Sequence, residues 1–152
     1  MISVNIIIDN PEWKKKKFKI INYIKKNIKH LSKKPILKKK HSFSILLTDN
    51  KNMKSLNKKF RKKNKSTDVL SFPFYEKKKL IKKIKKEKEI YIGDVIVNLN
   101  KIKNKNNKRL FLSEFNKLWI HGLVHLFGHQ HKRDKDFYKM DKLEKKYIKS
   151  IS

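Results

Sequence analysis

His121-Gly122-Leu123-Val124-His125-Leu126-Phe127-Gly128-His129-Gln130-His131 is the stretch from which the rest of the chain is read. Residues four apart on a helix share a face, so His121 and His125 can grip one ion together. Gly128 ends the helix and lets the chain turn. His131 can then swing back with a third ring nitrogen. Three protein ligands leave one position for water, which is the arrangement of a catalytic zinc rather than a structural one. The chain has no cysteine, so a metal must be held by His, Asp or Glu. Four of its six histidines fall in this stretch, a density that scattered helix histidines do not produce. His129 also follows His125 by four, and could replace His131 only if the helix ran on through Gly128. His30 and His41 have no such setting and read as solvent-facing.

Working outward, Leu112, Phe115, Leu118, Trp119, Leu123 and Leu126 recur at helical spacing and make the metal-bearing segment an amphipathic helix. Asp134 can cap a last helix with Phe137, Met140, Leu143 and Tyr147 on one face. Towards the N-terminus, Val4 to Ile8 reads as a buried strand. Asn10-Pro11-Glu12 opens a helix with Asn as cap and Pro in the first position, and Phe18, Ile21, Ile24, Ile28 and Leu31 follow at helical spacing, with Pro35 beyond. Phe43, Ile45 and Leu47 alternate as a strand. Asp49 caps a short helix carrying Met53, Leu56 and Phe60. Val69 to Phe72 and Ile90 to Val97, with Gly93 inside, are two further strands. Lys77 to Lys88 between them reads as a mobile loop or a loose helical turn, and Lys101 to Lys108 as a surface loop. The order β-α-β-α-β-β-α-α predicts an α+β fold. Its mixed four-stranded sheet is covered by helices and has one antiparallel edge strand, all in a single domain over residues 1–152.

The formal net charge is +30, from 43 Lys and Arg against 13 Asp and Glu. Only Arg61, Arg109 and Arg133 are arginine, and alanine is absent. That usage is typical of AT-rich coding, so most of the lysine excess is read as solvated surface. A chain this basic is nonetheless drawn to polyanions, RNA above all, in a salt-dependent way. No leader segment is visible, and no apolar run approaches the roughly 20 residues that span a bilayer. A cytoplasmic protein without membrane association is expected.

The spacing of the histidine stretch, glycine included, is that of the metzincin proteases. Those enzymes carry a Glu directly after the first His as general base, and here that position is Gly122. The metal scaffold is present, but a peptidase would lack its proton acceptor. A second stretch, Leu56-Asn57-Lys58-Lys59-Phe60-Arg61 followed by Thr67-Asp68-Val69-Leu70-Ser71-Phe72-Pro73-Phe74, stands out for Arg61. A guanidinium binds phosphate oxygens through two N–H groups at once and can stabilise charge developing on a phosphorane.

Together, Leu56-Asn57, Phe60-Arg61, Thr67 to Phe74, Ile92-Gly93-Asp94-Val95 and the histidine stretch resemble the YbeY family of bacterial endoribonucleases, or rRNA maturation factors. The resemblance covers nearly the whole chain, in order and at matching separations. It implies a zincin-like fold, one Zn2+ ion on His121, His125 and His131, and a functional role for Arg61. It also implies cleavage of single-stranded RNA, in 3′-end maturation of small-subunit (16S) rRNA and in ribosome quality control, with the small ribosomal subunit as partner. Either water or the RNA 2′-hydroxyl could be the nucleophile. The chain departs from the family at Gln130, where the family has Asp, at Ser66 for Pro, at Asn64 for Asp and at Val124 for Leu. Two other classes fit the metal stretch less well. A non-enzymatic ribosome-associated factor with structural zinc would need a fourth ligand, such as His129 or Asp134. A metal hydrolase acting on peptides or amides would need the missing Glu.

Overall fold

A computed structural model describes residues 2–15, 20–33 and 40–151. Four strands, β1 (Ile2–Ile8), β2 (Lys40–Thr48), β3 (Val69–Pro73) and β4 (Glu89–Asn98), form one sheet in the order β1-β2-β4-β3. β1 runs parallel to β2 and β2 to β4, while β3 is the antiparallel edge strand. Six α-helices are described: α1 (Pro11–Lys15), α2 (Ile20–Leu31), α3 (Asn50–Arg61), α4 (Lys77–Lys86), α5 (Lys108–Leu126) and α6 (Asp134–Ile151). The mixed, helix-covered sheet is the one the pattern predicts.

Alternation along the strands divides the molecule into layers. Phe43, Ile45 and Leu47 of β2 and Ile92, Val95 and Val97 of β4 point to one face, where Ile24 and Leu31 of α2, Trp119 and Leu123 of α5 and Met140 and Tyr147 of α6 bury them. Leu46, Leu70 and Ile96 point to the other face, where Met53 and Leu56 of α3 cover them. Trp13 of α1 is buried between these elements. It donates Nε1–H to the Thr48 carbonyl at 2.9 Å, with Phe111 and Phe115 against its ring. Asp49 caps α3 by accepting from Asn52 N at 3.0 Å, and Asn10 Oδ1 accepts from Glu12 N at 2.8 Å at the start of α1.

Several expectations are corrected. Lys77 to Lys86 is neither loop nor loose turn but a regular helix, held to the core by buried Leu80. Packing of this residue and Ile84 outweighs the mutual repulsion of its lysines. Asp134 lies within the first turn of α6 and not at its cap; Arg133 O accepts from Phe137 N at 2.9 Å. Phe137 and Phe60 point to solvent, both 55% exposed. In α2 the inward position is Ile20, while Ile21 is 38% exposed. Phe18 and Pro35 lie outside the described residues. His30 is exposed, as expected. His41 is buried, its ring 5.6 Å from that of Phe127, because it alternates in phase with Phe43, Ile45 and Leu47.

Candidate metal centre

α5 is built to present its C-terminal turns accurately. Asn107 caps its start by accepting from Leu110 N at 3.1 Å. Phe115, Trp119, Ile120, Leu123 and Val124 then fix its roll against the sheet, leaving His121 and His125 half-buried on the outer side. Gly122 explains the closeness of that packing. A Cβ there would stand 2.5 Å from Val95 Cγ1 and 3.1 Å from Ser71 Oγ. Position 122 faces the sheet, so it has no room for the glutamate that a metzincin carries. Gly128 has φ +87, a conformation that L side chains rarely adopt, and its backbone packs on Lys77 of α4. From this turn the chain returns with His131.

The three expected rings meet. Their centroids are 4.6 Å apart for His121 and His125, 5.1 Å for His125 and His131, and 5.8 Å for His121 and His131. One ligating atom from each lies within 4.8 Å of the others, and among the described residues this group has no fourth member. His129 does not join it. The His129 side chain is half-buried elsewhere, and burial, with Lys77 and Lys139, pushes its ring below the ordinary histidine value.

Two ring orientations are fixed from behind. His121 Nδ1 is 2.7 Å from Glu144 Oε1, and His125 Nδ1 is 2.8 Å from the His129 carbonyl. Both partners accept, so both Nδ1 atoms carry the hydrogen, and a neutral ring then has a bare Nε2. Those two Nε2 atoms face each other at 3.1 Å. Two lone pairs at that distance repel unless a cation lies between them. A proton on His125 is disfavoured: burial pushes it below its ordinary value, His121 and His131 act the same way, and the His129 carbonyl and Glu144 oppose them. A metal ion suits the site, since two nitrogens about 2.0–2.1 Å from a tetrahedral zinc stand about 3.3 Å apart. A carboxylate or carbonyl behind each ligating ring is the usual support for such an ion. Gln130, at the position of the family's Asp, is exposed.

Glu144 was not among the residues singled out in the sequence. The available signal was a carboxylate in phase with Met140 and Tyr147 on the inward face of α6. Asn98 was likewise not anticipated. It is fully buried, and its Nδ2 donates to Asn50 Oδ1 (2.8 Å), Ser66 Oγ (2.9 Å) and Thr67 O (3.0 Å). With Asn57 Nδ2 on Lys65 O at 2.8 Å, it pins the loop between α3 and β3. Ser66, where the family has Pro, is thus tied in by its hydroxyl.

Arg61 is the last residue of α3. Its guanidinium lies 5.4 Å from the Phe72 ring centroid, and Nη2 donates to Ser71 O at 2.7 Å. Ser71 Oγ in turn donates to the Gly122 carbonyl at 3.2 Å, next to His121. Arg61 and the metal helix are therefore joined through one β3 residue. Asn98 N donates to Asp68 O and Phe74 N to Ile92 O, both at 2.9 Å. By antiparallel alternation, residues 69, 71 and 73 turn their backbone groups to the free edge. Asp68 Oδ1 holds Val69 N at 2.7 Å, Arg61 holds Ser71 O, and Pro73 has no N–H. A peptide substrate adding as a strand would find one donor and one acceptor of this edge engaged and a further donor missing.

The endoribonuclease YbeY family model matches residues 7–152. The chain is 40% identical to endoribonuclease YbeY of Pelagibacter ubique strain HTCC1062, over 99% of this chain and 97% of that protein. It is 32% identical to endoribonuclease YbeY of Thermodesulfovibrio yellowstonii, over 99% and 98%. The solution structure of TM1509 from Thermotoga maritima is similar with a TM-score of 0.63 at 25% identity, covering 98% of this chain and 89% of that one. With its fold, histidine cluster and full-length sequence match, the chain belongs to the endoribonuclease YbeY family.

Proposed function

We propose that this chain is a zinc-dependent endoribonuclease acting on single-stranded RNA, with one Zn2+ held by His121, His125 and His131. The observation that carries the reading is the pair of bare Nε2 atoms 3.1 Å apart, each ring fixed from behind, in a chain of this family. When bound, zinc would supply a Lewis acid and a water acidified to a pKa of roughly 7. The protein's own part is to orient two of the ligating rings, His121 through Glu144 and His125 through the His129 carbonyl, and to hold a guanidinium on the β3 residue that packs against α5. One N–H of Arg61 is used by Ser71 O. The remaining donors are available to the non-bridging oxygens of a phosphodiester, whose charge grows as the bond to the leaving oxygen breaks.

In the cell the substrate on this reading is the 3′ region of 16S rRNA, met on the small ribosomal subunit in the cytoplasm during maturation and quality control. No helix among the described residues is long and apolar enough to cross a membrane. A structural zinc in a non-enzymatic factor is disfavoured by the group's three members. Peptide hydrolysis is disfavoured by the sheet-facing position 122 and the partly engaged β3 edge.

Arg61→Ala tests the assignment. Cleavage should fall by roughly 10²–10³, the cost of losing one well-placed electrostatic donor. Zinc content should not change, and Arg61→Lys should restore only part of the rate, because the charge survives without the two-pronged geometry. Weaker RNA binding with normal turnover at saturating RNA would make Arg61 a binding residue only.

A further inference from the structure

Four aromatic side chains, Phe60, Phe72, Phe74 and Tyr91, lie along β3 and its neighbours, with Tyr75 packed against the core beside Phe74. Phe72 and Phe74 are two apart on one extended run and share a face. Phe60 of α3 meets Phe72 edge to face at 5.4 Å between centroids. Phe74 meets Tyr75 at 4.9 Å and Tyr91 of β4 at 5.9 Å. The rings are open to solvent: Phe60 is 55% exposed, Phe74 63% and Tyr91 37%. Each end carries cations. Lys59 Nζ is 5.3 Å from the Phe60 centroid, Arg61 lies over Phe72, and Lys79 and Lys83 Nζ are each 5.8 Å from that of Tyr75. Two of the acids nearby are engaged. Asp94 accepts from the Tyr91 hydroxyl, and Glu87 pairs with Lys83 at 2.6 Å.

Exposed aromatic rings in a contiguous run call for a partner. Net charge of +30 opposes a second copy of the chain and favours a polyanion. Cations interleaved with open rings are the chemistry that holds single-stranded nucleic acid, with bases on the rings and phosphates on the cations. The ribbon is linked to α5, which carries His121 and His125, since Arg61 touches both Phe72 and Ser71, and Ser71 touches the carbonyl of Gly122.

We propose that Phe60, Phe72, Phe74 and Tyr91 form a base-stacking platform that positions the single-stranded RNA flanking the cleaved bond, with Lys59 and Lys79 taking its phosphates. The inference rests on the single-stranded RNA reading above and adds the residues that would produce the strand preference. Stacking is indifferent to base identity, so the platform selects unpaired RNA without reading sequence. A duplex keeps its bases stacked on one another and gains nothing from the rings.

The test is fluorescence anisotropy of zinc-loaded protein with a short, labelled, unstructured oligoribonucleotide of A and C, checked by gel to remain intact, and with its duplex. Phe60→Ala and Phe74→Ala should each weaken single-strand binding about 5- to 100-fold. Phe74→Trp should restore it and Phe74→Leu should not, because Leu is apolar without a π-face. Duplex affinity should not change, and neither should the salt dependence, since no counterion-releasing charge is removed. Both rings are exposed, so the thermal midpoints should stay near that of the wild type.

Single-strand binding within about twofold of wild type in both alanine variants would overturn the platform. So would equal affinities for Phe74→Leu and Phe74→Trp. A concentration-dependent dimer in sedimentation, lost in Phe74→Ala with RNA affinity unchanged, would overturn it in favour of a second copy. The platform and the catalytic reading fail separately. Wild type that cuts RNA, with ring variants that bind and cut normally, removes the platform alone. Wild type that does not cut, with ring variants that lose single-strand affinity, leaves the platform and removes the catalysis.

Discussion

Glu144 holds His121 by its Nδ1 at 2.7 Å from a different helix, so ring orientation depends on how α6 docks. Glu144→Gln keeps the shape but weakens the acceptor. Zinc affinity by chelator competition should fall about 10- to 100-fold with the fold intact; unchanged affinity would mean packing alone orients the ring. The grouping of His121, His125 and His131 was legible in the sequence, because helical spacing and a helix-ending glycine bring side chains together locally. Glu144 was not, because a helix carboxylate becomes a ring anchor only through tertiary docking. His41 was legible from alternation with Phe43, Ile45 and Leu47, had position been weighed above residue type. Tyr147, also on α6, is 2% exposed, and burial pushes its phenol up to about 12 from an ordinary 10.0. Below pH 10 the phenol is neutral in both states and costs nothing. Between pH 10 and 12 only the unfolded chain ionises it, so stability is lost as pH rises. In urea unfolding, wild type should lose about 2 kcal/mol more than Tyr147→Phe between pH 9 and 11.5. Parallel losses in the two proteins would place the alkaline sensitivity elsewhere.

At the scale of elements, the contact between α5 and the sheet governs the site. A Cβ at Gly122 would meet Val95 Cγ1 at 2.5 Å and Ser71 Oγ at 3.1 Å. Alanine gains about 1 kcal/mol of intrinsic helix preference over glycine, whereas overpacking a tight contact costs about 1–3 kcal/mol. Gly122→Ala should therefore be net destabilising in urea unfolding, and should loosen zinc binding by tilting α5. A more stable variant would mean that the close approach is not needed. The sheet and α6 were readable from their apolar repeats, and α3 and α5 from a repeat joined to a start or stop signal. α4 was not, since its inward pair Leu80 and Ile84, four apart, was outnumbered by the surrounding lysines, and its helix is held by docking that pair on the core. The outward turns of Phe60 and Phe137 were equally hidden. Helical spacing marks a shared face but not how far the neighbouring layer extends to cover it.

Across the whole molecule, a strongly basic chain carries a histidine cluster on α5 and an aromatic edge along β3, linked through Arg61 and Ser71. Charge alone was legible as attraction to polyanions and could not distinguish RNA from any other. The distinction comes from what the fold places together: rings tied for a cation, an arginine bound to the strand beside them, and open aromatics beyond. Removing the central ligand probes this arrangement most directly, because His125 touches His121, lies beside His131 and is oriented by the turn between them. The measurement is cleavage of a small-subunit rRNA precursor by zinc-loaded wild type and by His125→Ala, with bound zinc determined in both. The expected result is cutting within single-stranded segments by wild type, with zinc and cleavage lost together in the variant. Undiminished cleavage by a zinc-free His125→Ala protein would contradict the metal centre as the seat of the reaction.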